Sequence, residues 1–498
     1  MLIFIKNFAM KIQQLFIILL FILNIYNFCY TQHTIEQAKN SFISNPNVKN
    51  ASIGICVYDI LTNEKISYHN ENIALPSAST VKLFATASAI EILGKDYRPK
   101  TRIYSENKID HLGHLNGNLW IRGGGDVSLG SRYYNKSNEE DSFLYQWADT
   151  LYAMGIRKIH GDIIGDASEF GYQGAPDGWN WGDMGNYYGS GPSGLPIYDN
   201  ILRFYFNVSK SIGVKASLIK TFPEILNLNF NNYIYSSNTN GDNSYIYGAP
   251  YSYDRFSTGY LPKNSNSFVV KGSLPDSEMQ FVTEFKRILA LKGIFVEGKC
   301  LGVRNMNLPL AEIRYKSLYL IYSNLGRDLK SIAKWTNLKS VNLFAEQLIC
   351  WIAYEMRGIG DTKTGTDYIE YYWKSKINTS GLNLKDGSGL SRSNAVTAEN
   401  FCSLLNYMYK SSNQNDFIET LAVAGESGTL SSLCKGQIAQ GKVKAKSGTM
   451  NKIKSYSGYV ETLSGKKLSF AIIVNNYSCS TETITNNIAD FMNEMVKY

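Results

Sequence analysis

Residues 75–94 read Leu75-Pro76-Ser77-Ala78-Ser79-Thr80-Val81-Lys82-Leu83-Phe84-Ala85-Thr86-Ala87-Ser88-Ala89-Ile90-Glu91-Ile92-Leu93-Gly94. From Thr80 to Leu93 the stretch predicts a helix that is apolar nearly all round and rich in Ala. A helix with no wide polar face belongs inside the molecule, packed against other elements. Gly94 is placed to end it. One cation interrupts the apolar run. Lys82 follows Ser79 by three positions, so the two side chains share a face one turn apart. Burial pushes an ammonium toward the neutral amine, which can take the proton of Ser79. Ser79 stands at the start of the predicted helix, where free N–H groups and the helix dipole favour negative charge. The pattern predicts a serine nucleophile served by a lysine base.

The Ser-x-x-Lys spacing alone is weak, because it recurs at Ser331–Lys334, Ser432–Lys435 and Ser464–Lys467. Context separates the first copy from the others. It has a Pro-Ser-Ala lead-in, a buried helix behind it, and ordered partners downstream. Those partners are Ser340-Val341-Asn342, which opens a predicted helix, and Lys446-Ser447-Gly448-Thr449, which ends a predicted strand. All five histidines lie in the first third of the chain, and no Gly-x-Ser-x-Gly elbow sits beside a strand–helix turn. A Ser-His-Asp site therefore has little support.

Outward from this centre, Ser52–Asp59 and Lys65–His69 alternate as a hairpin around Asn63-Glu64. Residues from about 99 to 303 change texture. Short alternating stretches are separated by Gly, Asn, Asp and Ser clusters such as Gly123-Gly124-Gly125-Asp126, which suits a β-rich insertion of one or two subdomains. Helical texture returns at 328–335 and 342–353, and Thr397 caps a helix running to Tyr409. Val443–Lys446, Ser455–Thr462 and Lys467–Asn475 then read as consecutive strands, and Thr481–Lys497 as an amphipathic helix. The two ends of the chain thus predict one α/β unit split by an insertion. The expected division is 1–31 as an export signal, 32–100 and 314–498 as two parts of one core, and 101–313 as the insertion.

At 498 residues the chain is long enough for roughly three domains at about 150 residues each. A net charge of +8 is small for this length, and the cations are scattered. Nucleic-acid binding is excluded on that ground. None of the seven cysteines forms a Cys-x-x-Cys pair, so no zinc or dithiol motif is read; no metal and no cofactor is expected. Lys6 and Lys11 precede the apolar run Leu15–Leu23, a basic region followed by a short apolar one, as in a secretory signal. An uncleaved anchor and lipid modification at Cys29 are the competing readings. Export permits disulfides, which the spacing does not pair.

The ordered set Ser79-x-x-Lys82, Ser340-x-Asn342, Lys446-Ser447-Gly448 resembles the motif triple of penicillin-binding proteins and serine β-lactamases. Further stretches sharpen the likeness: Gly124-Gly125-Asp126, Gly161-Asp162 through Asp166-Ala167-Ser168, and Gly178-Trp179-Asn180-Trp181-Gly182-Asp183. Ser340 to Glu346, Asp386 to Arg392 and Gly428-Thr429-Leu430 continue the series. Together they resemble the class C, type-4 penicillin-binding proteins of peptidase family S13, the D-Ala-D-Ala carboxypeptidase/endopeptidases, over nearly the whole mature chain. Val341 stands where an acidic residue is common, and Ser447 where Thr is common.

The resemblance implies a transpeptidase-like core, an antiparallel sheet flanked by helices, carrying a large β-rich insertion. It implies a periplasmic DD-peptidase acting on peptidoglycan peptides, with β-lactam antibiotics as covalent inhibitors. Ser79 is then the acylated nucleophile and Lys82 its base. Ser340 and Asn342 relay the proton and hold the substrate amide. Lys446 adds positive charge near the substrate carboxylate, which Ser447 binds. Gly448 belongs to the same substrate-binding strand, and the N–H groups of Ser79 and Thr449 form the oxyanion hole. Asp183 reaches in from the insertion toward an amino group of the substrate's diamino acid. The plain alternatives are a helix cap for Ser340 and Asn342, a solvated edge charge for Lys446, and a turn residue for Asp183. A catalytically silent peptidoglycan-binding protein and a serine β-lactamase are the competing functions. The sequence gives no oligomeric state.

Overall fold

The computed structural model describes residues 17–18, 35–136, 139–306 and 315–498. The export-signal reading of 1–31 lies outside the described residues, apart from 17–18, and so does Cys29. Among the described residues no helix is long and apolar enough to cross a membrane.

The chain ends meet in one antiparallel sheet of six strands. Its order is Ala422–Val423, Val443–Met450, Ile453–Glu461, Lys467–Asn475, Ser52–Asp59, Glu64–His69. Ser52 pairs with Asn475 and Asp59 with Leu468, so the first and last strands in sequence are neighbours in space. Period-2 alternation makes this sheet bury both faces. Ile53, Ile55, Val57, Phe470, Ile472 and Val474 pack on the 481–497 helix side. Cys56, Ala471 and Ile473 face the Ala398–Lys410 helix, within the same core as Lys82–Leu93. A one-residue slip would exchange the two sets, so burial fixes the register.

The apolar segment at 75–94 forms a 3-10 turn, Ala78–Val81, followed by an α-helix, Lys82–Leu93, that Gly94 ends. Ser79 thus sits one turn ahead of the α-helix rather than inside it. The helix is buried from Lys82 to Ile90. It packs on Asn342–Arg357, the helix opened by the second motif. The Thr397 cap is as expected, with its hydroxyl accepting from Asn400 N at 2.9 Å. The six described cysteines are free thiols, and Cys350 is core within the 342–357 helix.

Among the described residues, the chain between the two parts of this sheet forms one five-stranded and three three-stranded sheets. Lys100–Ser105 enters the larger sheet, and Tyr319–Leu325 closes its edge by pairing with that strand. Two helices, Ser142–Ala153 and Ser277–Leu291, fill out the insertion's core around Trp147, Phe281 and Phe285. The insertion is tied to the core by polar contacts on helix 342–357. Gln347 Nε2 donates to Gly125 O at 2.9 Å and Ser193 O at 2.6 Å. Trp351 Nε1 donates to Gly124 O at 3.0 Å. Gln347 and Trp351 are buried, so the contacts satisfy donors that would otherwise be stranded.

Candidate active site

The three motifs converge. Lys82 Nζ lies 2.9 Å from Ser79 Oγ and 2.7 Å from Asn342 Oδ1. Lys446 Nζ lies 2.9 Å from Ser340 Oγ. Ser79 is half-buried and opens to solvent, whereas Lys82 and Lys446 are fully buried. The other Ser-x-x-Lys lysines stay outside: Lys334 and Lys435 are exposed, and Lys467 pairs with Glu461 at 2.6 Å. Among the described residues no histidine hydrogen-bonds to Ser79; His160, for instance, sits 2.7 Å from Glu297.

The turn that carries Ser79 is held by close packing. Ala78 adopts φ +48°, a left-handed conformation that costs an L-residue about 1 kcal/mol or more. Two glycines pack closely on it. Gly389 has φ +80°, and a side chain on it would come within 2.0 Å of Ala78 O. Gly448 packs its backbone on the same turn, where a side chain would lie 2.4 Å from Ser77 O and 3.0 Å from Ser79 N. Ser77 O also accepts from Thr80 Oγ1 at 2.7 Å and Ser455 Oγ at 2.5 Å. The strand of the third motif therefore runs against the amide of Ser79 with only backbone between them.

Burial sets the protonation of both lysines. Desolvation pushes Lys82 down to about 7, opposed by the charges of Asp386 and Glu346. Lys446 is pushed well below the ordinary range, first by desolvation and then by the like charges of Lys82 and Lys454. Lys454 is itself pushed down to about 8 by burial and donates to Thr449 Oγ1 at 2.9 Å. In the free site, then, burial and the neighbouring cations oppose the positive charge that the motif gives Lys446.

A second layer lies in two stretches, 340–346 and 386–392, that the resemblance marked without giving Glu346 or Asp386 a role. Lys82 Nζ also donates to Ser388 O at 2.5 Å. The loop 386–391 that presents this carbonyl is wrapped around Asp386. That carboxylate accepts from Trp179 Nε1 at 2.8 Å, Ser388 Oγ at 3.1 Å, Gly389 N at 2.8 Å, Ser391 N at 2.7 Å and Asn394 Nδ2 at 2.6 Å. Glu346, fully buried on the 342–357 helix, accepts from Ser388 N at 2.8 Å and Gly387 N at 3.1 Å. Desolvation, then the charge of Asp386, push Glu346 up to about 8. The signal for Glu346 was a lone acid inside an apolar helical run. The Ser388 carbonyl had no side-chain signal at all.

The remaining named residues surround this centre. Ser447 Oγ donates to Thr429 Oγ1 at 2.7 Å. Asn342 Nδ2 donates to Tyr188 O at 2.8 Å, which brings the insertion to the site. Asp183 is half-buried and accepts from Tyr188 Oη at 3.2 Å. Burial raises its pKa, opposed by Tyr188 and the charge of Arg392. Asp183 is thus one residue removed from Asn342 and points no contact at Ser79.

The family described as D-Ala-D-Ala carboxypeptidase 3 (S13) matches residues 35–497. The D-alanyl-D-alanine carboxypeptidase DacB of Haemophilus influenzae is 27% identical over 86% of this chain and 86% of its own. The D-alanyl-D-alanine carboxypeptidase of an Actinomadura species is 28% identical over 88% of this chain and 80% of its own. The crystal structure of penicillin binding protein 4 from Haemophilus influenzae superposes with a TM-score of 0.77. It covers 92% of this chain and 99% of that one at 24% identity, so the likeness is one of fold.

Proposed function

Because this chain belongs to the D-Ala-D-Ala carboxypeptidase 3 (S13) family, we propose that it is a serine DD-peptidase that hydrolyses D-Ala–D-Ala termini and peptide cross-links of peptidoglycan through an acyl-enzyme on Ser79. The observation that carries the reading is the 2.9 Å contact between Ser79 Oγ and a buried lysine amine with its pKa near neutrality. Lys82 takes the hydroxyl proton as Ser79 Oγ bonds to the carbonyl carbon. The oxyanion sits between the N–H groups of Ser79 and Thr449, whose strand the bare backbone of Gly448 brings alongside. The C–N bond breaks, and the departing amine takes a proton delivered through Ser340, which Lys446 contacts. Water then cleaves the ester and frees Ser79.

Asn342 holds the substrate amide and Lys82 together. A substrate carboxylate bound at Ser447 restores the charged form of Lys446, since an opposite charge reverses the burial penalty. β-Lactams enter the same cycle and stop at the acyl-enzyme. The basic-then-apolar segment at the N-terminus supports work in the periplasm. Fluorescent penicillin tests the reading: the folded protein is expected to label covalently on Ser79, and mass spectrometry should find D-Ala released from muropeptides. A folded protein that neither labels nor releases D-Ala would refute it, and fast turnover of a chromogenic cephalosporin would instead point to a β-lactamase.

Asp183 serves as a specificity residue in this scheme, facing the ammonium of the substrate's diamino acid. Asp183→Ala is expected to lower kcat/KM on peptides with that free amine by about tenfold, and to leave simple D-Ala–D-Ala peptides much less affected. An equal loss on both would make Asp183 structural.

A further inference from the structure

A groove of about 970 Å³ lies between the insertion and Lys339, the chain neighbour of Ser340. One wall begins at Lys339, the residue before Ser340, and at Tyr188, whose carbonyl holds Asn342. The far wall is built by the insertion strands Asn243–Tyr247 and Ser265–Ser273. Three cations line it, Arg132, Lys271 and Lys339, against a single acid, Asp242. Asp242 is already engaged, accepting from Ser244 N at 2.9 Å and Ser244 Oγ at 2.6 Å. Arg132 leans on Asp199 at 3.5 Å from below. Among the described residues Lys271 and Lys339 have no carboxylate within ion-pairing distance and no side-chain hydrogen bond. Burial and the like charges of Arg132 and Arg203 push Lys271 down, with Asp199 and Asp242 opposing. Cations crowded this way favour an incoming anion. Tyr187 and Tyr245, 46% and 51% exposed, offer apolar faces beside them.

We propose that this groove binds the carboxylates of the acceptor stem peptide in a cross-linked dimer, making the insertion a device for cross-link cleavage rather than for terminal trimming. The proposal rests on the DD-peptidase reading and deepens it. In a cross-link the leaving group is not a free D-Ala but a whole second peptide, carrying several carboxylates. It departs on the side where Ser340 delivers the proton, and Lys339 adjoins that residue. The groove is large enough for such a peptide, and its charge is opposite to that of its occupant. A terminal D-Ala leaving group brings a single carboxylate, the one assigned above to Ser447.

The test compares two activities of one protein. Lys271→Glu, Lys339→Glu and the double variant are assayed on a cross-linked dimer and on a monomeric pentapeptide, with penicillin labelling as the control for an intact Ser79. Charge reversal is expected to lower kcat/KM for the dimer about tenfold more than for the monomer, with Lys271→Arg close to the wild type. A second measurement leaves the protein untouched. Dimers whose acceptor carboxylates are amidated should be cleaved by the wild type about tenfold more slowly than free-acid dimers. An unchanged ratio of the two activities, or equal cleavage of amidated and free-acid dimers, overturns the groove's role. Absence of penicillin label on the wild type is a different failure, that of the DD-peptidase reading itself.

Discussion

Replacing Lys82 with methionine is expected to slow β-lactam acylation of Ser79 by about 10³-fold while the protein still folds. Methionine keeps the buried apolar stem, one atom shorter, but removes the base. The readout that separates a proton-transfer role from mere packing is the pH profile. With the amine pushed down to about 7, acylation by the wild type should rise with pH and level off above that value. At pH 5 it should be slower by roughly 100-fold, the fraction of neutral amine two pH units below its pKa. In the methionine variant that limb should vanish. Stability carries the same signature with a definite sign. The folded pKa lies below the unfolded value of 10.5, so the unfolded chain binds more protons between about 7 and 10.5. The contribution of Lys82 to stability therefore improves as pH rises through that window and is at its worst below it. Lys82→Met should flatten that slope. A variant that acylated at the wild-type rate, or retained the limb near pH 7, would remove Lys82 from the mechanism.

How much of this was readable from residues alone depends on whether a side chain announces itself. Five strands of the six-stranded sheet were legible from short apolar runs such as Lys467–Asn475 and from the Ser464-Gly465 turn; the two-residue strand Ala422–Val423 was too short to show. The 481–497 helix was legible from its amphipathic period. The proposed catalytic groups could be picked out because each is a polar side chain at a fixed spacing inside an apolar context. Lys82 and Asn342 do meet at 2.7 Å. What escaped is carried by backbone or by environment. The Ser388 carbonyl on Lys82 has no letter of its own. The positive φ of Ala78 lies in a turn on which Gly389 and Gly448 pack from distant parts of the chain. The Ser277–Leu291 helix, capped by Asp276, is hidden among turn-rich strands that dominate the composition of the insertion. Lys446 shows the limit of motif logic: sequence supplies the residue, but burial beside Lys82 and Lys454 sets its protonation.

Asp386→Ala is expected to cost about 3–5 kcal/mol of stability, among the largest single effects available in this chain. The carboxylate is fully buried and accepts from five donors, three of them in the 386–391 loop, one on Asn394 and one on Trp179 of the insertion. Removing it strands those donors away from water, and each stranded group costs about 1–3 kcal/mol before relaxation. The isosteric Asp386→Asn should not rescue the protein. An amide presents one oxygen and one NH2, so whichever way it faces, its NH2 meets either Gly389 N–H and Asn394 Nδ2 on one side or Trp179 Nε1 and Ser391 N–H on the other. Trp179→Phe removes a single donor and should cost only about 1 kcal/mol. The catalytic consequence follows from the same loop. Without Asp386 the Ser388 carbonyl loses its anchor, and Lys82 loses both that acceptor and a nearby negative charge that raises its pKa. Any variant that still folds should acylate more slowly on its plateau, with the rising limb moved to lower pH. Thermal midpoints of the three variants, read beside their acylation profiles, check both halves. An Asp386→Asn protein as stable as the wild type would show that the loop, and with it the position of the Lys82 amine, is held by something other than this carboxylate.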